Sequence, residues 1–228
     1  MSEDKAAHHY VGDAGRQYHE GKRSISEHAF PWVARLRAEK IAPFIQQTDT
    51  IFEFGVGYGW NLAQLRCARR IGCDVSTFLA PTVQSRGIEF ISETASVPAG
   101  TMDVVLCHHS LEHVLHPAQT LKDLHRILRP GGKLLLFVPY EKERKYRSYD
   151  RREPNHHLYS WNVQTLGNVV EESGFCVNDG RLGRFGYDRF SANLATRLRA
   201  GQTVFRMIRM AIHLVKPAFE VRMVAIKK

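Results

Sequence analysis

The stretch Glu53-Phe54-Gly55-Val56-Gly57-Tyr58-Gly59 joins the end of an apolar strand, an acid and three glycines at alternate positions. Glycine weakens strands and helices alike, so three in so short a span imply that something approaches the backbone closely. A strand, a glycine-rich turn and then a helix is how an α/β sheet receives an extended nucleotide-like ligand. Missing side chains admit the ligand, and a helix N-terminus offers free N–H groups. The spacing here is G-x-G-x-G followed by Trp60, not the G-x-G-x-x-G of dinucleotide sites. An acid two residues ahead of Gly55 repels a pyrophosphate. Glu53 instead suits the positive end of a ligand, such as an amino acid ammonium. Taken alone, the motif also fits a tight structural turn with incidental glycines.

A second chemistry-bearing stretch is "HHSLEHVLH", His108 to His116. Three readings stand side by side. Glu112 and His113 satisfy backbone groups at a turn into a helix. Alternatively His109 or His113 is a general base or an acceptor-orienting group. In the third reading His109, Glu112 and His113 ligate a metal, since H-x-x-E-H spells an inverted zinc-protease motif. That motif belongs inside a helix, whereas here it leaves a buried strand and meets Pro117 at once. A third stretch, "PYEKERKYRSYDRREPNHHLYSW", is long, charged and rich in tyrosine. It reads as a lid on the substrate side, with His156, His157 and Tyr159 ahead of a helix and Arg and Lys side chains suited to phosphate or carboxylate. The bland alternative is a solvated surface loop.

The elements that position these residues alternate strand and helix, which argues for a largely parallel sheet with helices on both faces. Strands are expected at Thr50–Phe54, Ile71–Val75, Gly87–Ile91, Met102–Cys107 and Gly132–Pro139, in "FCVND" from Phe175, and in the alternating "FEVRMVAIKK" at the end. A helix is expected directly after the glycine loop. Another starts at Pro117, with Ala118, Leu121, Leu124 and Leu128 on one face, and stops at Pro130-Gly131-Gly132. Trp161–Ser173 and His28–Pro43 also read as helices, the latter over one end of the sheet. In "TVFRMIRMAIHLV", Arg206, Arg209 and His213 share one helical face and apolar residues fill the rest. That surface packs on the domain itself, lines a lipophilic pocket, or sits at a membrane interface beside anionic lipid. We expect one domain over residues 1–228: a helical segment at 1–49, a core at 50–182, a helical insertion at 183–217 and a final strand at 218–228.

Composition narrows the classes. A chain of 228 residues with 43% hydrophobic residues buries an ordinary α/β core. It has no apolar run long enough to span a bilayer. "MSEDKAAHHYVGD" has no signal-peptide core, and the four scattered cysteines read as reduced thiols, so a cytoplasmic location is expected. A formal charge of +9 favours anionic partners: a phosphorylated substrate, an acidic membrane face or nucleic acid.

Several motifs in order resemble the class I S-adenosylmethionine-dependent methyltransferases, in the group typified by ubiquinone and small-metabolite enzymes. "EFGVGYG" resembles their first motif and "GCDVS" the end of their second strand. "FISETASVP" resembles the segment after the third, and "MDVVLCHHSLEHVLHPAQTLKDLHRILRPGGKLLLFVP" the fourth strand through the fifth. The resemblance covers roughly residues 50–175. It implies a Rossmann-like, doubly wound, mostly parallel seven-stranded sheet and S-adenosyl-L-methionine as cofactor. Glu53, Gly55, Gly57 and Gly59 would line it, Asp74 would hold the ribose hydroxyls, Glu93 and Thr94 would stand at the adenine, and His108 would complete the set. The family usually has Asp then Ala where this chain has Glu93 and Thr94. Small-RNA 2′-O-methyltransferases and some quinone O-methyltransferases carry E-x-x-E-H at the histidine loop and bind a divalent ion. This chain has His109 at their first Glu, and no metal is expected.

Methyl transfer from a sulfonium is an in-line displacement, so the protein aligns the acceptor, excludes water and, for an alcohol, removes a proton. His109 and His157 are the candidate catalytic residues. The expected acceptor is a small anionic or lipid-linked metabolite (a sugar, quinone or similar) methylated on oxygen, with peripheral membrane contact possible in principle and nucleic acid disfavoured. The alternatives are RNA ribose 2′-O-methylation and a non-catalytic cofactor-binding or partner protein. The intact glycine motif and Asp74 argue against the last.

Overall fold

The computed structural model describes residues 9–21, 25–26, 28–141, 148–151, 153 and 155–228. Seven strands form one sheet in the order β3-β2-β1-β4-β5-β7-β6. They are β1 (Thr50–Phe54), β2 (Arg69–Cys73), β3 (Glu89–Ile91), β4 (Met102–His108), β5 (Leu128–Tyr140), β6 (Phe175–Arg184) and β7 (Phe219–Lys227). β7 alone runs against its neighbours β5 and β6; the remaining pairs are parallel. The chain order reverses between β1 and β4. In a doubly wound sheet the carboxyl ends of strands at such a reversal open a ligand crevice.

Alternation along the central strands sorts the core. Val105, Leu134 and Leu136 face a cluster with Leu121, Leu124, Leu166 and Val170. Val104, Leu106 and Leu135 face the opposite cluster with Ile41, Leu62 and Val83. The first cluster is covered by α4 (Pro117–Ile127) and α5 (Val163–Glu172), the second by α2 (Phe30–Ile41) and the short α3 (Ala80–Gln84). Helix α1 (Gly12–Gly21) precedes these, and α6 (Asp188–Arg197) and α7 (Gln202–Val215) lie between β6 and β7. Helix α2 also packs on that last pair: Trp32 and Val33 share a cluster with Ala192, Ala195 and Phe205.

Three expectations are corrected. No α-helix follows the glycine loop; Leu62–Gln64 make a single 3-10 turn before β2 begins at Arg69. The loop consumes Gly55 to Trp60, and the short remainder has to cross to the neighbouring strand. Leu128 is the first residue of β5, paired with Met102, rather than the last of a helical stripe. The Arg129-Pro130 step disfavours helix at that point. β6 runs to Arg184, well past the expected "FCVND", because its edge position leaves polar residues such as Arg181 free to face solvent while the backbone still pairs with β7.

Candidate active site

A cavity of about 1410 Å³ opens over the carboxyl ends of β1, β2, β4 and β5. Its wall at β1 is the glycine loop. Gly55, Gly57 and Gly59 all have positive φ, between 52° and 75°, a region that side chains other than glycine enter at a cost. A Cβ on Gly55 would lie 2.1 Å from Ser110 Oγ, so that glycine lets β1 and the histidine loop approach. A Cβ on Gly57 would meet nothing nearer than His19 Cε1 at 4.0 Å and would instead occupy the cavity. Gly57 N–H donates to Asp74 Oδ2 (2.8 Å) and Ser76 N–H to Asp74 Oδ1 (2.9 Å), which fixes the carboxylate at the rim. Gly59 lies behind the wall.

Beneath the loop, Glu53 is 1% exposed, and burial raises its carboxyl to about 8 despite the Asn61 amide that donates to Oε1 at 2.6 Å. Glu53 Oε2, Arg37 Nε and His108 Nε2 are buried without hydrogen-bond partners among the described residues. A buried polar group without a partner costs about 1–3 kcal/mol; of the three residues, Arg37 and His108 line the cavity, while Glu53 lies behind the glycine loop and is not part of the lining. Arg37, on α2, stands near enough for its charge to lower the Glu53 carboxyl, and Asp188 Oδ2 lies 4.0 Å from its Nε. An acid and a guanidinium in one corner suit the ammonium and carboxylate of an amino acid. The orphaned acid, the guanidinium, the open cradle at Gly57 and the pinned Asp74 fit the extended, zwitterionic shape of S-adenosylmethionine.

The adjoining wall, at the end of β4, carries the histidines. His109 has φ 55° at the end of β4, and a non-glycine residue held there stores about 1–3 kcal/mol of strain. Its Nε2 hydrogen-bonds Glu220 Oε2 (3.0 Å), and its Nδ1 lies 3.9 Å from Glu112 Oε1. Burial lowers His109 to about 4 against the pull of Glu220. Burial alone would raise Glu220, but His109 and the Lys40 ammonium (2.6 Å) hold it at about 2. A neutral His109 therefore donates to an ionised Glu220 at neutral pH. His157 differs: its Nδ1 meets Glu141 Oε1 at 3.1 Å, and its ring packs 4.9 Å from that of His113. Tyr10 Oη in turn lies 2.7 Å from His113 Nδ1.

The cavity thus gathers Gly55, Gly57, Asp74, Glu93, Thr94, His108, His109 and His157. Two triads, His108–His109–Glu220 and Glu112–His113–His157, bring ligand-type atoms within 4.8 Å of one another. Of the expected basic lid, Lys142, Arg144, Lys145, Arg147 and Arg152 lie outside the described residues. Sequence reasoning missed Arg37, Glu141, Glu220 and the N-terminal strap. Tyr10 of that strap accepts at its carbonyl from Ser76 Oγ (2.6 Å), and His19 and Tyr18 line the cavity. Arg37 left no distinct local signal, since Arg35, Glu39 and Lys40 stand on the same helix. Glu220 left one, an acid inside an apolar strand.

A family model described as a methyltransferase domain matches residues 25–178. A probable tRNA methyltransferase 9B of Bos taurus is 23% identical over 66% of this chain and 35% of its own length. A ubiquinone biosynthesis O-methyltransferase of Xanthomonas oryzae is 35% identical over 32% of this chain and 28% of its own. The chain therefore spans about a third of the length of these curated relatives. A crystal structure from Thermotoga maritima, described as an S-adenosylmethionine-dependent methyltransferase and possible histamine N-methyltransferase, superposes with a TM-score of 0.67. It covers 98% of this chain and 100% of its own at 20% identity. The three described acceptors differ, while the sheet and the domain match recur. With the family match extending over most of the sheet and the whole glycine loop, the chain belongs to the class I S-adenosylmethionine-dependent methyltransferases.

Proposed function

We propose that the protein transfers a methyl group from S-adenosyl-L-methionine to an oxygen of a small anionic or lipid-linked metabolite, such as a sugar or quinone, with His157 as the base. The observation that carries this reading is the Glu141–His157 pair on the cavity wall. When bound, the cofactor supplies an electrophilic methyl on a sulfonium whose sulfur leaves as a neutral thioether. Glu53 would hold its ammonium, Arg37 its carboxylate, Asp74 its ribose hydroxyls, and Glu93 and Thr94 would lie at its adenine. His108, kept neutral by burial, would offer its unpartnered Nε2 to the cofactor. His157 takes the acceptor O–H proton on Nε2, while the Glu141 carboxylate orients the ring and stabilises the imidazolium. His109 is too weak a base at about 4 and serves as a neutral wall that positions the acceptor. The four unpaired cysteines support a reducing, cytoplasmic setting.

His157→Ala is expected to lower kcat by roughly 10²–10⁴ with cofactor affinity unchanged, and raising the pH should recover part of the loss. Wild-type turnover by His157→Ala would remove the base. A second reading, ribose 2′-O-methylation of RNA, draws on the +9 charge and on the Glu112–His113–His157 triad. It predicts RNA binding with a steep salt dependence.

A further inference from the structure

Helix α7 is amphipathic the wrong way round for a helix that only closes a core. It buries Phe205 and His213. Met207, Met210 and Leu214, spaced i, i+3 and i+7 on one face, are 59%, 58% and 70% exposed, and Val215 at the helix end is 89% exposed. A surface helix ordinarily turns its polar face outward. The charge around this stripe is one-sided. Residues 188–217 contain Arg189, Arg197, Arg199, Arg206, Arg209 and Lys216, and Asp188 is the sole acid. Buried Asp188 is bonded by Arg209 at 2.7 Å and exposed Glu39 pairs with Arg206, which leaves Arg197, Arg199 and Lys216 as the cations flanking the stripe. At the start of the stripe the turn from α6 presents Leu198, 61% exposed, between exposed Arg197 and Arg199. At its end Val215 runs into Lys216 and Pro217, which line the active-site cavity. No helix among the described residues is long and apolar enough to cross a membrane.

A stripe one helix wide, apolar along its ridge, with Arg197 and Arg199 at its start, Lys216 at its end and the neighbouring acid Glu39 already taken by Arg206, is the pattern of a helix lying in the headgroup layer of an anionic bilayer. A stable protein–protein contact buries about 800 Å² per partner with opposite charges matched across it. Here a second copy would set Arg197, Arg199 and Lys216 of one chain against the same cations of the other. We propose that α7 docks the protein on an anionic lipid surface and holds the cavity mouth at Lys216 against the headgroups, so that a lipid-borne acceptor enters from the membrane. Docking itself does not depend on the methyl-transfer reading; only the delivery of a lipid-linked acceptor rests on it.

The test is flotation of the full chain with phosphatidylcholine vesicles that contain or lack phosphatidylglycerol, without cofactor or acceptor. Binding is expected on the anionic vesicles, weakened by salt, and little on phosphatidylcholine alone. The triple variant Met207→Gln/Met210→Gln/Leu214→Gln should lose at least about tenfold in vesicle affinity. Its cofactor affinity by calorimetry and its thermal midpoint should hold, which separates loss of docking from loss of fold and from failure of the methyltransferase reading. Arg197→Gln/Arg199→Gln should retain part of the binding and lose its salt dependence. The proposal is overturned by a wild-type chain that ignores anionic vesicles at low salt, or by a triple variant that still binds them. It is equally overturned by a wild-type dimer that the triple variant converts to monomer, since the stripe would then be a subunit contact.

Discussion

The two walls of the cavity are built differently. The cofactor wall comes from adjacent strand ends: Gly57 N–H reaches Asp74, seventeen residues on, through one crossover between paired strands. The acceptor wall is assembled from segments far apart in the chain. Tyr10 meets His113, Lys40 meets Glu220, and Glu141 meets His157. A wall made by the sheet itself accepts one ligand shape. A wall made by a strap, a loop and two helices can change with little effect on the sheet, which agrees with relatives whose described acceptors range from tRNA to quinone. Damage to one wall should therefore be separable from damage to the other.

The largest effect belongs to the cofactor wall. Gly57→Val places a branched side chain at φ 52° in the space the ligand needs, and binding of S-adenosylmethionine or its demethylated product should fall below detection by calorimetry. His157→Ala should show the reverse split, with turnover lost and binding kept. A Gly57→Val protein that still binds the cofactor would break the comparison at its firmer side.

Glu53 gives a smaller, pH-dependent effect. Its unliganded carboxyl sits near 8, above its ordinary 4.5, so it is mostly protonated at pH 7, and gripping an ammonium requires loss of that proton. Cofactor affinity should rise with pH up to about 8, and Glu53→Gln should weaken binding and flatten the profile. The same shift acts on folding. A raised folded-state value means the native state keeps its proton longer than the unfolded chain, so this contribution to stability is present below the unfolded value and lost as pH rises through 8. Thermal melts without cofactor should show Glu53→Gln losing that decline. A pH-independent wild-type affinity would mean that Glu53 does not face the ammonium.

The smallest effect is expected from metal removal. Chelation should leave turnover unchanged, with Glu112, His113 and His157 acting as a proton-handling cluster. Activity lost to chelation and restored by a divalent ion, with cofactor binding intact, would make that triad a metal centre on the acceptor wall.

The legibility of the sequence follows the same division. β1 was readable to the residue, and β4 and α4 nearly so, because the apolar alternation and the proline and glycine punctuation are local. The glycines and Asp74 sit within one crossover, so their partnership was legible too. The helix after the loop was misread because "WNLAQL" has helical periodicity but no room to use it. Glu141 and Glu220 escaped because a carboxylate acquires its meaning from what faces it, and their partners lie sixteen and 111 residues away. The exposed stripe of α7 was present in the sequence as apolar residues on nearly every side. Only packing on α2 decides that Phe205 goes inward and Met207 outward.

The most direct test of the central claim follows the methyl group. Purified protein is incubated with methyl-labelled S-adenosylmethionine and separated aqueous, lipid and RNA fractions of a cell extract, and the labelled product is isolated and placed by mass spectrometry. The account predicts label on an oxygen of a small anionic or lipid-linked compound, formed by wild type and strongly reduced with His157→Ala. Label on RNA ribose would transfer the assignment to the second reading. Label on nitrogen or carbon, formed equally by the His157 variant, would contradict it.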